Sequence, residues 1–211
     1  MTKQSVALLY GSLVPAKGAS TQARLKTQQG YIPLQLNLLH DQPQPDQPIA
    51  VLGSLGSRYH HPHKHDYGHI EVAAYRPWHP QANEGQAKAV LYTRLFETIL
   101  FPEIADLDTI AILSGVIGRI RKLDYLRLML KNADGHFFIR AQWQTPVASA
   151  LNQKRTGERI SLLTRLVSTF QTKYGRHQLW CHPITLLPDD TPEALWDEIG
   201  LHIVQAFDNI D

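Results

Sequence analysis

The residues best equipped for chemistry or for binding lie in two places. One is Tyr59-His60-His61-Pro62-His63-Lys64-His65-Asp66-Tyr67-Gly68-His69, with five histidines and one aspartate in eleven residues. Imidazole and carboxylate groups suit zinc, nickel or copper, which makes His60, His61, His63 and His65 the candidate ligands. The cluster has no fixed ligand spacing and no cysteine partner, so the expectation is a polar hairpin loop with no metal. Such a loop gains charge below about pH 6.5, where imidazole protonates, and with Lys64 it could then meet phosphates. The other place is the stretch from Arg119 to Arg176, where 12 Lys and Arg face only 3 acids, within a chain whose total charge is +2. There cations are interleaved with rings and with polarisable side chains. Catalytic signatures are scarce. Cys181 and His182 are neighbours in a predicted strand, which sends them to opposite faces and prevents a direct dyad. No phosphate-binding Gly-Lys-Ser loop, Gly-x-Ser-x-Gly elbow or His-Glu-x-x-His helix is present, and Gly115-Val116-Ile117-Gly118 has the wrong spacing for a dinucleotide fingerprint. The expectation is a binding protein without catalysis and without a cofactor.

These residues must be positioned by strands, and the strands come in two similar series. Ala7-Leu8-Leu9-Tyr10-Gly11-Ser12-Leu13 matches Ala111-Ile112-Leu113-Ser114-Gly115-Val116-Ile117, each followed by a basic loop and an alternating run, Gln22 to Lys26 or Leu126 to Lys131. A turn glycine follows in each (Gly30, Gly135), then Tyr31 to Leu38 or His136 to Trp143, then Ile49-Ala50-Val51-Leu52 or Ile160-Ser161-Leu162-Leu163. The offset stays between 104 and 111. Glycine inside a long first strand marks a bulge or bend, which a strand shared by both sheets of a small barrel needs. Five strands in this order, twice, resemble the OB-fold superfamily.

The expected fold is therefore mainly β with a few helices: two tandem OB-like five-stranded barrels, an inter-domain helix and a C-terminal helix. The domain reading is residues 1–80 and 109–188 for the barrels, 81–108 for a helical linker and 189–211 for an acidic C-terminal helix. In the second copy the stretch from Gln144 to Gly157 can hold the short helix often found between strands three and four of the superfamily. In the first, Asp41 to Pro48 repeats proline too often to be helical. Asn83 to Leu100 has helical apolar spacing and stops at Pro102. Thr191 to Phe207 starts with a Thr N-cap and a proline, and carries a stripe of Leu195, Ile199, Ile203, Val204 and Phe207 that needs a surface to lie on.

Strand alternation divides the second barrel into faces. Leu126, Leu128, Leu130, Phe137, Ile139 and Trp143 point inward, and Tyr125, Arg127, Met129, Lys131, Phe138 and Arg140 point outward. Bases stack on aromatic and guanidinium planes while phosphates meet cations, so the outward set suits a single strand of DNA or RNA. In OB-folds the face of strands two and three, flanked by the loops joining strands one to two and four to five, is the usual oligonucleotide site. The resemblance puts Arg119, Arg121 and Lys122 in the first of those loops, and Phe170, Lys173, Tyr174 and Arg176 in the second. The first barrel offers the thinner set Lys17, Arg24, Lys26, Tyr31 and Arg58. The implied function is single-stranded nucleic-acid binding mainly by the second barrel; the alternative is a protein-interaction or scaffold module. From Asp189 onward there are 7 acids and no Lys or Arg, a segment that could recruit a protein partner, as the acidic tails of bacterial single-stranded-DNA-binding proteins do. One cysteine, no export-signal pattern at Met1 to Ser5 and no apolar run of about 18–20 residues point to a cytoplasmic protein.

Overall fold

Ala7-Leu8-Leu9-Tyr10 and Ile110-Ala111-Ile112-Leu113 are apolar at every position, a pattern for strands covered on both faces. The computed structural model, which describes residues 4–15, 22–36, 45–77, 108–171 and 176–196, gives the reason. The runs lie in β1 (Ser5–Pro15) and β6 (Thr109–Lys122), which pair antiparallel about Ala7 opposite Ala111. One face of the pair sends Ala7, Leu9, Ala111 and Leu113 into the barrel interiors. The other sends Val6, Leu8, Tyr10, Ile110 and Ile112 into a second apolar cluster with Ala50, Leu52, Leu163 and Leu195.

The remaining elements are β2 (Gln22–Thr27), β3 (Gly30–Leu36), β4 (Pro48–His60), β5 (His65–Pro77), β7 (Leu126–Asn132), β8 (Gly135–Ala141), α1 (Pro146–Asn152), β9 (Arg159–Gln171) and β10 (Arg176–Leu187). β1 pairs with both β2 and β4, β2 with β3, β3 with β5 in parallel, and β5 with β4, which closes a ring of five. β6 to β10 close a second ring in the same order. The chain has the mainly β, OB-type barrel architecture that its sequence resembles.

Each ring closes where its first strand leaves one neighbour for another. β1 pairs with β4 up to Ser12 and with β2 from Ser12 onward. Gly11 sits at that crossing, and a Cβ there would strike the Lys26 carbonyl oxygen. Gly115, at the matching point of β6, would bring a Cβ within 2.9 Å of the Lys131 carbonyl oxygen. The strand bends there because nothing larger than glycine lets the next strand approach.

In the second ring α1 follows Pro146 at its first position and buries Val147, Ala148 and Leu151 against the barrel interior. Asp41 to Asp46 of the proline-rich stretch lies largely, and the helix expected over 83–100 wholly, outside the described residues. The C-terminal helix is described over 191–196. Asp190 supplies the first helical carbonyl, to the Ala194 N–H, while the Thr191 hydroxyl donates back to Pro188. The cap is thus Asp190, one residue before the Thr191 that the sequence pattern predicts. Leu195 and Trp196 lie on the second apolar cluster, and the Trp196 indole N–H donates to the Ser5 carbonyl, so strands of both rings form the surface beneath the start of this helix. Among the described residues no helix is long and apolar enough to cross a membrane.

Candidate nucleic-acid interface

The alternation of β7 and β8 divides their side chains cleanly. Leu126, Leu128, Leu130, Phe137 and Ile139 are buried in the barrel, while Arg127, Met129 and Lys131 on β7, and Phe138 and Arg140 on β8, point the other way. Trp143 lies beyond the end of β8, packs on the core edge and donates its indole N–H to Leu123 at 2.9 Å. The outward row continues onto β10, which runs parallel to β8 with Cys181 opposite Ile139. Because Cys181 is buried, its neighbours Trp180 and His182 face out beside Phe138 and Arg140.

These side chains form a layered array of rings and cations. The Arg127 guanidinium lies 4.8 Å from the Phe138 ring centroid and 5.1 Å from that of Trp180, and the two rings are 5.9 Å apart at 49°. Arg140 lies 4.1 Å from the Tyr125 ring centroid. Such contacts contribute about 0.5–1 kcal/mol each at exposed sites. Arg127 and Arg140 stand directly opposite in register, so the surface keeps like charges side by side. Burial, followed by Arg121 and Arg119, pushes the Arg127 guanidinium below its usual value against an opposing effect of Tyr125, and it remains a cation at neutral pH. His182 is driven down to about 4, by burial first and then by Arg165 and Arg140, so it is neutral at pH 7. Cys181 is pushed up to about 12 by burial, which leaves an inert thiol.

Several expected residues sit differently from the sequence reading. Arg119, Arg121 and Lys122 belong to β6 rather than to a loop, because a bulge at Gly118 bends the strand and pairing continues to Lys122 opposite Leu126. Phe170 is on β9, 54% exposed, with its ring 5.1 Å from that of His177. Lys17, Lys173, Tyr174 and the side chain of Arg176 lie outside the described residues. The histidine cluster lies at the tip of a tight hairpin. β4 and β5 stay paired up to His60 opposite His65, with a single 3-10 turn, His61–His63, and Lys64 in the left-handed region at φ 49°. The side chains of His63 and His65 lie outside the described ones, and no group of three metal-binding side chains occurs among those described.

In the first barrel Arg24 and Lys26 are exposed on β2 and Arg58 on β4. The Tyr31 ring lies 5.5 Å from that of His177 of the second barrel, tilted by 50°, and so belongs to the seam between barrels. The register pairs the two faces position by position: Gln22, Arg24, Pro33, Gln35, His69 and Glu71 stand where the second barrel has Arg127, Met129, Phe138, Arg140, Trp180 and His182. Sequence reasoning missed Trp180 and His182. Their signal was the same alternation, around Cys181.

No protein-family model matches the chain, and no curated protein matches it by sequence. Among solved structures, the wild-type single-stranded DNA binding protein from Thermus aquaticus is similar at TM-score 0.51 and 16% identity, over 87% of this chain and 92% of that one. A deletion mutant of the Thermus aquaticus protein aligns at TM-score 0.49 and 16% identity, over 87% of this chain and 93% of that one. At this identity the likeness to the wild-type Thermus aquaticus protein establishes a shared fold alone.

Proposed function

We propose that the chain binds single-stranded nucleic acid through the outward face of the second barrel, without catalysis. The observation that carries this reading is the array of Arg127, Phe138 and Trp180, with Arg140 on Tyr125, laid across β7, β8 and β10. Flat rings accept bases of any sequence, and fixed cations beside them accept phosphates. The same fold in a protein named for single-stranded DNA binding supports the reading. Lys131, exposed at the far end of β7, extends the cationic row, and Lys173, Tyr174 and Arg176 are proposed as further strand contacts. The first barrel, with one acid and one imidazole on its matching face, contributes less, through Arg24 and Lys26. Residues 1–80 and 109–188 would act as two domains of unequal affinity.

The test is fluorescence anisotropy with labelled single-stranded DNA, single-stranded RNA and duplex DNA of about 30 nucleotides, longer than the roughly 4–16 that one OB barrel covers. Each is measured at low and at physiological salt. Single-strand binding that weakens steeply with salt is expected; no binding of any of the three at micromolar protein would sink the reading.

A further inference from the structure

Where the two barrels meet, the hairpin of β4 and β5 reaches over the end of the second barrel's outward face. A groove of about 240 Å³ lies between them, lined by Lys64 and Asp66 from the hairpin and by Arg119, Arg121, Arg127 and Phe138 from the second barrel. The hairpin is anchored there: Asp66 Oδ2 is 3.0 Å from His136 Nδ1, and the His136 backbone N–H donates to Ser57 Oγ at 2.8 Å.

The groove's charge is unbalanced. Among the described residues Asp66 is its one acid and is engaged by His136, against Lys64 and three arginines. Arg121 and Arg127 are direct cross-strand partners, a like-charge pair that destabilises the sheet when nothing lies between. Arg119, Arg121 and Lys64 have no carboxylate partner among the described residues. A phosphodiester within a strand carries a single negative charge, whereas a terminal phosphomonoester carries about −1.5 to −2 at pH 7. The second is the better match to this surplus. The volume suits one nucleotide-sized group, being below the roughly 300–1,000 Å³ of sites that enclose larger ligands.

We infer that this groove is a subsite for a phosphomonoester end of a single strand, with the terminal base toward Phe138 and the phosphate toward Arg119, Arg121 and Lys64. The inference rests on the second barrel's face being the strand site. The first barrel then takes part in binding through its hairpin, although Pro33 and His69 stand on its own face where the second barrel has Phe138 and Trp180.

The experiment compares short single-stranded oligonucleotides of one sequence ending in a 5′-hydroxyl, a 5′-phosphate or a 3′-phosphate, with the wild-type chain and with Arg119→Ser/Arg121→Ser. Both arginines are exposed, and the comparison of ends on the wild type requires no variant. One phosphorylated end should bind about tenfold more tightly than the hydroxyl end, as charge-assisted hydrogen bonds allow, and the double variant should lose that gain. Equal affinity for all three ends, or a gain that survives the double variant, overturns the subsite while leaving the strand site standing. Failure of all three oligonucleotides to bind removes the strand site and the subsite together. A deoxynucleoside 5′-monophosphate that erases only the gain from the phosphorylated end supports the assignment. If it binds alone at micromolar concentration, the groove belongs to a soluble nucleotide and the strand-end assignment is overturned.

Discussion

Replacing Trp180 with alanine separates base stacking from charge at the candidate interface. Trp180 stands on β10 between the buried Leu179 and Cys181, with its ring on the outward face near Phe138 and Arg127. The substitution removes one flat surface and the hydrogen bond from the indole N–H to Thr169 at 3.2 Å, and leaves the barrel interior intact. A base stacked on an aromatic side chain contributes about 1–3 kcal/mol, so single-strand affinity should fall by about 5- to 150-fold. No formal charge is lost, so the slope of log affinity against log salt should be unchanged. The matching position of the first barrel is His69, and His69→Ala should change affinity by less than about twofold, under about 0.5 kcal/mol. Both quantities come from anisotropy titrations at several salt concentrations, with thermal melts to establish that each variant is folded. Equal losses in the two variants would refute the assignment of the strand to the second barrel. A Trp180→Ala chain that binds as tightly as wild type would refute stacking on β10.

Arg127→Ala should weaken single-strand binding and also flatten the salt dependence, by about 0.7 in slope if it meets one phosphate; an unchanged slope would assign Arg127 to stacking alone. Gly135 has φ +132°, and a Cβ there would strike the Ser57 hydroxyl oxygen, whereas Gly157 has φ +94° with nothing nearby. Gly135→Ala should therefore lower stability by about 1–3 kcal/mol and by more than Gly157→Ala does, as read from urea midpoints. His182 is held at about 4, and His69 and His177 are also lowered, each by burial first. The unfolded chain, with imidazoles near 6.5, binds more protons than the folded chain between about pH 6.5 and 4. Stability from these groups is then fully present above about pH 6.5 and declines as the pH falls through that window; urea midpoints that rise toward pH 4 would contradict the burial of these rings. Leu128→Ala, at a side chain fully buried in the second barrel, should cost about 2–5 kcal/mol by the same measurement.

The legible part of this molecule is whatever depends on alternation within one strand. Leu126, Leu128 and Leu130 against Arg127, Met129 and Lys131 define both faces of β7, and the pattern of β8 does the same. Trp180 and His182 obey the same rule, but the Cys181-His182 pair draws attention to a dyad and away from the place of its neighbours beside Phe138. Arg119 to Lys122 resemble a loop because three cations follow a glycine, yet a bulge lets a strand carry Gly118 and go on pairing. At the histidine cluster the backbone, rather than the imidazoles, sets the structure. Tyr59 opposite Asp66 and His60 opposite His65 satisfy their backbone groups as a hairpin whatever their side chains are. The apolar runs of β1 and β6 show that both their faces are covered, but no local pattern tells that the two strands pair with each other. The Asp66–His136 contact, spanning 70 residues, depends on that pairing and is legible in neither segment alone.

Matching positions of the two barrels are more alike at the seam than on the outward faces, and the physics of each accounts for it. Across the seam the contacts come in matched pairs. The Ser57 N–H donates to the Asp134 carbonyl at 3.1 Å, and the Ser168 N–H to the Gln29 carbonyl at 3.0 Å. Gly135 packs on Ser57, and Gly30 packs on the backbone of Ser168. His136 with Asp66 and Tyr31 with His177 occupy matching places. Each of these contacts puts the tip of one barrel's β2–β3 or β7–β8 turn against a long strand of the other, and at Gly30 and Gly135 the space admits only glycine, so sterics hold both turns to one solution. The outward faces carry no such restraint, because a side chain there meets solvent or ligand. One face carries Arg127, Met129, Phe138, Arg140, Trp180 and His182, and the other carries Gln22, Arg24, Pro33, Gln35, His69 and the acidic Glu71 at the matching positions. On the proposed reading a polyanion is drawn more strongly to the first, which adds two rings to its cations, than to the second. The symmetric seam in turn sets the first barrel's hairpin, with Lys64, over the edge of the cationic face. On the proposed reading a nearly symmetric scaffold holds a one-sided site, and the first barrel contributes by position.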